Sequence, residues 1–269
     1  MADVDDAASS SSSSSAADTK AVTIAKQASP KKAMVNGKPH KLLTKALIME
    51  STGEDDVEVV EDIEIIFNLV HELSDLDACY NLRSLTLIST QLRSIDNLAC
   101  VGHSLEKLAL VNQELTKIEN LYLPNLRELY LQKNRIKRLE GFEGCPKLRR
   151  LWCFSNDVRV IENLHCLGDL RELWLQDNQI RTVGAGLDSL VSLHELNLAA
   201  NHIADFKDLQ KLAHLPALRD LALEDDHFGR CPIVKAEGYR NFVLCALKQV
   251  RVLDGAEIAG RDRPVPIFF

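Results

Sequence analysis

Net basic charge, paired cysteines and long apolar runs are all lacking in this chain, and each lack removes a class of function. Lys and Arg number 32 against 39 Asp and Glu, for a formal net charge of −7. Binding to RNA or DNA needs clustered basic residues that neutralise phosphates, so no nucleic-acid partner is expected. No stretch approaches the roughly 18 apolar residues of a membrane span, and no membrane partner is expected either. The first residues are acidic (Asp3, Asp5, Asp6) and run into Ser9 to Ser15, without the apolar centre of an export signal. The seven cysteines are odd in number and none are spaced as zinc or redox motifs require. Cys79, Cys100, Cys145, Cys153, Cys166, Cys231 and Cys245 mostly fall where a small buried apolar residue would serve, which predicts reduced thiols in the cytoplasm. A Gly-rich phosphate loop, metal-ligand spacing and a nucleophile motif are also missing. The expectation is a protein with no cofactor, no metal site and no catalytic residues.

What the chain does have is internal repetition. The unit L-x-x-L-x-L-x-x-N-x-L-x-x-L is clearest at Leu126, Leu129, Leu131, Asn134, Ile136 and Leu139. It returns 22 residues later at Leu148, Leu151, Cys153, Asn156, Val158 and Ile161, and again at Leu170, Leu173, Leu175, Asn178, Ile180 and Val183. Leu193, Leu196, Leu198, Asn201, Ile203 and Phe206 form another copy, while Leu82, Leu105 and Leu218 open three more. Val60, Ile63, Ile65, Asn68, Val70, Leu73 and Leu76 also fit the template, although the same spacing suits an amphipathic helix. The β-branched run and the position of Asn68 favour a repeat.

Apolar residues at the fourth and sixth positions alternate with polar ones, so that segment reads as a short strand with one buried face. The Asn turns inward and bonds backbone groups that the tight turn leaves unpaired. Each coil buries its apolar side only against its neighbours, so the core needs the whole stack. These features predict an α/β fold: a right-handed solenoid of about eight repeats with a parallel concave sheet, a short helical or 3-10 convex side and a C-terminal cap. Thr90, Gln113 and Asp226 stand in place of Asn, which predicts three less regular coils. Tyr239, Phe242, Val243 and Leu247 have the helical spacing expected of the cap. The predicted organisation is a Ser/Ala/Lys-rich tail over residues 1–38, too poor in apolar groups to order, an N-terminal flank over 39–59, repeats over 60–228, the cap over 229–256 and a second tail over 257–269. Ser29-Pro30-Lys31-Lys32 reads as an incidental part of the first tail.

Residues flanking the fourth-position leucines should project from the concave surface. The fifth-position series is Glu64, Thr86, Ala109, Tyr130, Trp152, Trp174, Asn197, Ala222, and it holds both tryptophans of the chain. With Phe154 they predict an exposed aromatic patch of the kind that marks protein interfaces. The expected partner-binding residues are Tyr130, Trp152, Phe154, Trp174, Glu128, Arg150, Glu172, Glu195 and Asn197. The strand carboxylates Asp62, Glu128, Glu172, Glu195 and Asp220 would stand about 5 Å apart on adjacent rungs, and a solvated acidic face is expected rather than catalysis. His194 and His202 read as surface residues.

The repeat length, the pattern around Tyr239 to Gly255 and the absent export signal resemble a class of intracellular leucine-rich-repeat proteins. That class includes the regulatory subunit of protein phosphatase-1, the spliceosomal A-prime protein and several ciliary proteins. Within it the likeness is greatest to the leucine-rich repeat-containing protein nine family. It rests on Val57 to Glu64, the strands Leu126-Arg-Glu-Leu-Tyr-Leu131 and Leu170-Arg-Glu-Leu-Trp-Leu175, Phe206-Lys-Asp-Leu209 and the loop before Cys231-Pro232. The resemblance implies a protein-binding scaffold in a ciliary, flagellar or cytoskeletal assembly. Alternatives are a protein phosphatase-1 regulator, or less readily an A-prime-like protein. Members are usually much longer, so this chain would correspond to an N-terminal repeat array.

Overall fold

The computed structural model describes residues 42–262; the tail expected over residues 1–38 and the end of the one expected over 257–269 lie outside the described residues. The described chain opens with β1 (Leu42–Leu43) and helix α1 (Lys45–Thr52). Thr44 caps α1 by accepting from Leu47 N at 3.3 Å, and Gly53 ends it in the left-handed region at φ 76°. Leu47 and Ile48 face inward and are buried in the core, closing its N-terminal end.

Eight repeat strands follow, one per coil. They are β2 (Asp62–Ile66), then, past the short β3 (Glu72–Leu73), β4 (Ser84–Ile88), β5 (Lys107–Val111), β6 (Glu128–Tyr130), β7 (Arg150–Trp152), β8 (Glu172–Trp174), β9 (Glu195–Asn197) and β10 (Asp220–Ala222). Residues 62–66 are therefore strand and not helix, so the earliest copy is a true repeat. Consecutive repeat strands pair in parallel, and β1 pairs with β3 in a separate two-stranded sheet. The fourth- and sixth-position residues are buried in every coil, from Ile63 and Ile65 to Leu221 and Leu223. Opposite the sheet run short 3-10 turns such as Leu76–Ala78, Ala99–Val101 and Ala185–Leu187, and one short helix, α2 (Phe206–Gln210).

The turn after each strand has a fixed cause. The residue before the ladder position lies in the left-handed region in seven coils: Phe67, Ser89, Asn112, Lys133, Ser155, Asp177 and Ala200, with φ between 52° and 59°. None is glycine, so each coil holds a conformation that costs an L-residue free energy. The inward ladder side chains offset that cost. Asn156 Oδ1 accepts from Ile136 N at 3.0 Å, and its Nδ2 reaches Leu131 O and Cys153 O. Asn178 and Asn201 repeat this toward Val158 N and Ile180 N. Asn68 sits in the first coil, with no earlier coil to serve, and is only half-buried.

Two of the expected irregularities are corrected by the geometry. Gln113 does what Asn does elsewhere: its Oε1 accepts from Thr90 N, Thr90 Oγ1 and Leu92 N, and its Nε2 donates to Leu87 O and Val111 O. The coils of Thr90 and Gln113 carry five-residue strands, longer than the three-residue strands of the coils of Asn134, Asn156, Asn178 and Asn201. Asp226 is exposed and serves no ladder. Its place is taken by Cys231, whose Sγ donates to Leu198 O at 3.1 Å, the carbonyl that an eighth ladder Asn would reach. Residues 226–230 are thus an insertion, folded as a hairpin of β11 (Glu224–Asp225) and β12 (Gly229–Arg230). The boundary expected between residues 228 and 229 falls inside this hairpin, which favours ending the eighth coil after Ala236.

Beyond it, helix α3 (Tyr239–Ala246) buries Tyr239, Val243 and Leu244. β13 (Val252–Leu253) extends the sheet in parallel beside β10, and β14 (Ala256–Glu257) ends it antiparallel. Asp254 ties the cap to the last coil, accepting from Leu223 N at 2.8 Å and Glu224 N at 3.0 Å through one oxygen, and from the Tyr239 hydroxyl at 2.8 Å through the other. A convex ladder also exists that sequence reasoning missed. Asn97, Asn120 and Asn163, all at positive φ, donate to Leu73 O, Ile95 O and Leu139 O of the preceding coils.

Candidate partner-binding face

The sheet register brings the fifth-position series into one row: Glu64, Thr86, Ala109, Tyr130, Trp152, Trp174, Asn197 and Ala222 face their neighbours rung by rung. The same register sets a second row from the third positions, running Lys107, Glu128, Arg150, Glu172, Glu195 and Asp220. Phe154 belongs to a third row at the seventh positions, between Gln132 and Gln176.

The aromatic residues meet, but they do not stand exposed. Trp152 and Trp174 stack with centroids 4.2 Å apart and planes 2° from parallel, and Tyr130 abuts Trp152 edge-on at 4.7 Å. Trp152, Phe154 and Trp174 retain only 8%, 4% and 4% of their surface. The expectation of an exposed patch is corrected on two physical grounds. Rungs about 4.8 Å apart let identical flat rings cover each other. The inserted hairpin also returns over the sheet, placing Phe228 edge-on to Phe154 at 5.4 Å. The rings form a floor, and the half-buried Tyr130, Glu128, Arg150, Glu172, Glu195 and Asn197 form its accessible rim.

The rim is electrostatically uneven. Arg150 bridges two rungs, from Nη1 to Glu128 Oε1 at 2.5 Å and from Nε to Glu172 Oε1 at 2.8 Å. Its hydrogen bond with Glu172 holds the guanidinium firmly charged against the opposing effect of burial. The Tyr130 hydroxyl donates to Glu128 Oε2 at 2.8 Å, and burial together with the Glu128 charge pushes its pKa up. Glu195 and Asp220 continue the row without an ion-pair partner among the described residues. Burial, then the charges of Glu172 and Asp220, pushes Glu195 up to about 7, opposed by a hydrogen bond from the Trp174 side chain and by Arg150. Burial, then the charge of Asp254, pushes Asp220 up to about 6. The solvated acidic face expected from the sequence is in fact partly desolvated.

That difference fixes a pH dependence. An unfolded glutamate titrates near 4.5 and folded Glu195 near 7, so the folded state binds the extra proton between those values. Stability therefore falls as pH rises from about 4.5 to about 7, because the unfolded state binds fewer protons there. Glu195→Gln removes this contribution. It should raise the melting temperature at pH 8, by about 2–4 °C for each kcal/mol removed, and leave it unchanged at pH 4, as read by thermal melts across that range. A variant that melts lower at pH 8 would show that the carboxylate stabilises the rim.

Among the described residues no group of three or more His, Cys, Asp or Glu is arranged to hold a metal ion. No described helix is long and apolar enough to cross a membrane. All seven cysteines are free, with Cys79, Cys145, Cys153 and Cys231 buried and Cys100 and Cys245 exposed. His194 and His202 are exposed. The sequence reading missed Gln132, Gln176 and Phe228 as part of this face. The available signal was the interval from Leu223 to Cys231, five residues longer than the template allows between strand and ladder.

Residues 152–265 match a leucine-rich-repeat family, and residues 124–165 match one described as two copies of leucine-rich repeats. The chain is 30% identical over 182 residues to the U2 small nuclear ribonucleoprotein A' of Arabidopsis thaliana, covering 67% of this chain and 54% of that protein. It is 30% identical over 173 residues to dynein axonemal assembly factor 11 of Mus musculus, covering 64% of this chain and 31% of that protein. The chain thus spans about half or less of the length of these relatives. Internalin C2 of Listeria monocytogenes superposes with a TM-score of 0.60 over 77% of this chain and 90% of that one, at 19% identity, a likeness of fold alone. With eight parallel rungs, an inward Asn ladder and these matches, the chain is a leucine-rich-repeat protein.

Proposed function

We propose that this protein is a non-enzymatic scaffold that holds a protein partner on its concave sheet. The observation that carries the reading is the rim: two desolvated carboxylates, Glu195 and Asp220, lie side by side next to an aromatic floor and face no cation of their own. Carboxylates in that state favour a partner that brings positive charge. Catalysis finds less support, because Glu128 and Glu172 are both engaged by Arg150. Tyr130, Glu128, Arg150, Glu172, Glu195 and Asn197 would contact the partner directly, over the floor of Trp152, Phe154 and Trp174.

For the setting, similarity to the mouse dynein axonemal assembly factor supports a ciliary or cytoskeletal assembly, reached from the cytoplasm. Similarity to the plant small nuclear ribonucleoprotein A' supports a second reading, a protein subunit of a nuclear particle. The phosphatase-1 regulator and the tie to the protein nine family rest on the sequence resemblance alone.

Affinity purification separates these readings. The parent chain is compared with a Glu195→Gln, Asp220→Asn variant, which keeps the shape of the rim and removes its charge. A Tyr122→Ser control tests the opposite side, where Tyr122 is 69% exposed. The rim variant should lose the partner at least tenfold relative to the parent, on the order of 1.4 kcal/mol, while the control keeps it. Loss in the control alone would move the interface off the concave sheet. Recovery of axonemal proteins supports the first setting and recovery of spliceosomal proteins the second.

A further inference from the structure

The fifth- and seventh-position rows contain polar groups that the fold leaves unpaired. Gln132 Oε1, Gln176 Oε1, Gln176 Nε2 and Trp152 Nε1 are buried without a hydrogen-bond partner, on three consecutive rungs. Gln176 is fully buried, and Gln132 and Trp152 keep 7% and 8% of their surface. Buried amides and indoles in folded proteins are almost always bonded, and the buried ladder amides Gln113, Asn134, Asn156, Asn178 and Asn201 all are. Two of the unpaired atoms are acceptors and two are donors. A cation, an anion or an apolar ligand would satisfy only half of such a set, or none. An extended polypeptide offers N–H and C=O groups together along its length.

The hairpin lies over the seventh-position row. It leaves the sheet at Glu224 on the eighth rung, yet Phe228 touches Phe154 on the fifth, about 14 Å back at the rung spacing. Gln176 and Ala199, on the rungs it spans, are fully buried. Its internal ties are local: the Glu224–Arg230 ion pair at 3.0 Å, and Asp225 Oδ1 accepting from His227 N and Phe228 N. The solenoid does not need it. Without residues 226–230 the chain would read Leu223-Glu224-Asp225-Cys231-Pro232-Ile233, which restores the template spacing and keeps Cys231 in the ladder.

We propose that the hairpin is a displaceable strap over a peptide-binding strip. Its occupant is an extended segment of a partner protein whose backbone bonds Gln132, Gln176 and Trp152, and which carries a basic side chain toward Glu195 and Asp220. The closed strap excludes this segment and weakens binding by the fraction of time it is open. The proposal rests on the concave-face reading above and adds the chemistry of the partner and its control.

Two strap variants test it: deletion of residues 226–230, and Phe228→Ala in case the deletion does not fold. The probe is a phage-displayed library of random linear peptides, selected on the strap variants. Trp152 belongs to the strip and Trp174, the other tryptophan of the chain, stacks on it, so quenching of their emission by acrylamide reports opening directly. The expected result is greater quenching in both variants. Selected peptides should contain Arg or Lys, bind the deletion about tenfold or more tighter than the full chain, and protect the tryptophans from acrylamide. Adding Gln176→Leu to a strap variant should weaken them at least tenfold while the fold melts no lower.

Equal affinity for the full chain and both strap variants would overturn the strap, as would failure to select any peptide. Indifference to Gln176→Leu would overturn backbone recognition at the strip. If the peptides still fail on Glu195→Gln, Asp220→Asn, the concave-face reading survives either of the last two affinity results; if they ignore that variant also, it falls too.

Discussion

Gln113→Leu should be among the most destabilising single substitutions in the ladder, costing about 3–5 kcal/mol. A buried donor left unpaired costs on the order of 1–3 kcal/mol. The count of such donors therefore sets the ranking. Gln113 Oε1 is the partner of Thr90 N, Thr90 Oγ1 and Leu92 N, all in the interior of one coil. Asn156→Leu strands fewer groups. Ile136 N loses its acceptor, but Leu131 O and Cys153 O keep bonds from Asn134 and Asn178. Its expected cost is about 1–3 kcal/mol. Urea titrations of both variants give the comparison directly. An Asn156→Leu variant less stable than Gln113→Leu would mean that the carbonyl bonds, not the stranded donors, set the energy of the turn.

The spacing of leucines made the stack legible in advance, because burial at the fourth and sixth positions depends only on alternation within one strand. The register of the fifth-position row followed from the same spacing, and residues as far apart as Glu64 and Ala222 fall into line through it. What could not be read was whatever depends on reach. Gln113 lies at the Asn position and its longer side chain still meets the turn, so the residue type alone misjudged its coil. The left-handed residues carry no glycine to announce them. Asp226 took the template position by counting, whereas Cys231 fills it after a hairpin that the repeat does not encode. The contact of Phe228 with Phe154 joins rungs three apart across 74 residues of chain. Burial of Phe154 depended on that contact and burial of the tryptophans on ring stacking, and neither is a property of a single repeat.

The second large effect concerns those rings. Trp174→Ala should lower the unfolding free energy by about 3 kcal/mol, at the lower end for a large aromatic truncated in a packed site. Trp152→Ala made alone should cost a similar amount. Made together they should cost less than the sum by about 0.5–1.5 kcal/mol, the worth of a stacked aromatic pair that either single change already removes. Each single variant keeps one tryptophan, so fluorescence during urea unfolding reports the surviving ring. Leu173→Ala is the reference for a cavity in the adjacent core and should cost about 2–5 kcal/mol; Leu173 is fully buried and faces away from the rings across the sheet. Partner binding by the double variant is to be compared under conditions where it remains folded. There the floor is gone but Arg150, Glu195 and Asp220 remain, so affinity should fall less than in the charge-neutral rim variant. A double variant that loses under about 1 kcal/mol, the range of surface sites, would mean that the rings do not support one another and lie open to a partner. If it also binds tenfold more weakly than the rim variant, the contact is made by the aromatic rings and the charged rim only borders it.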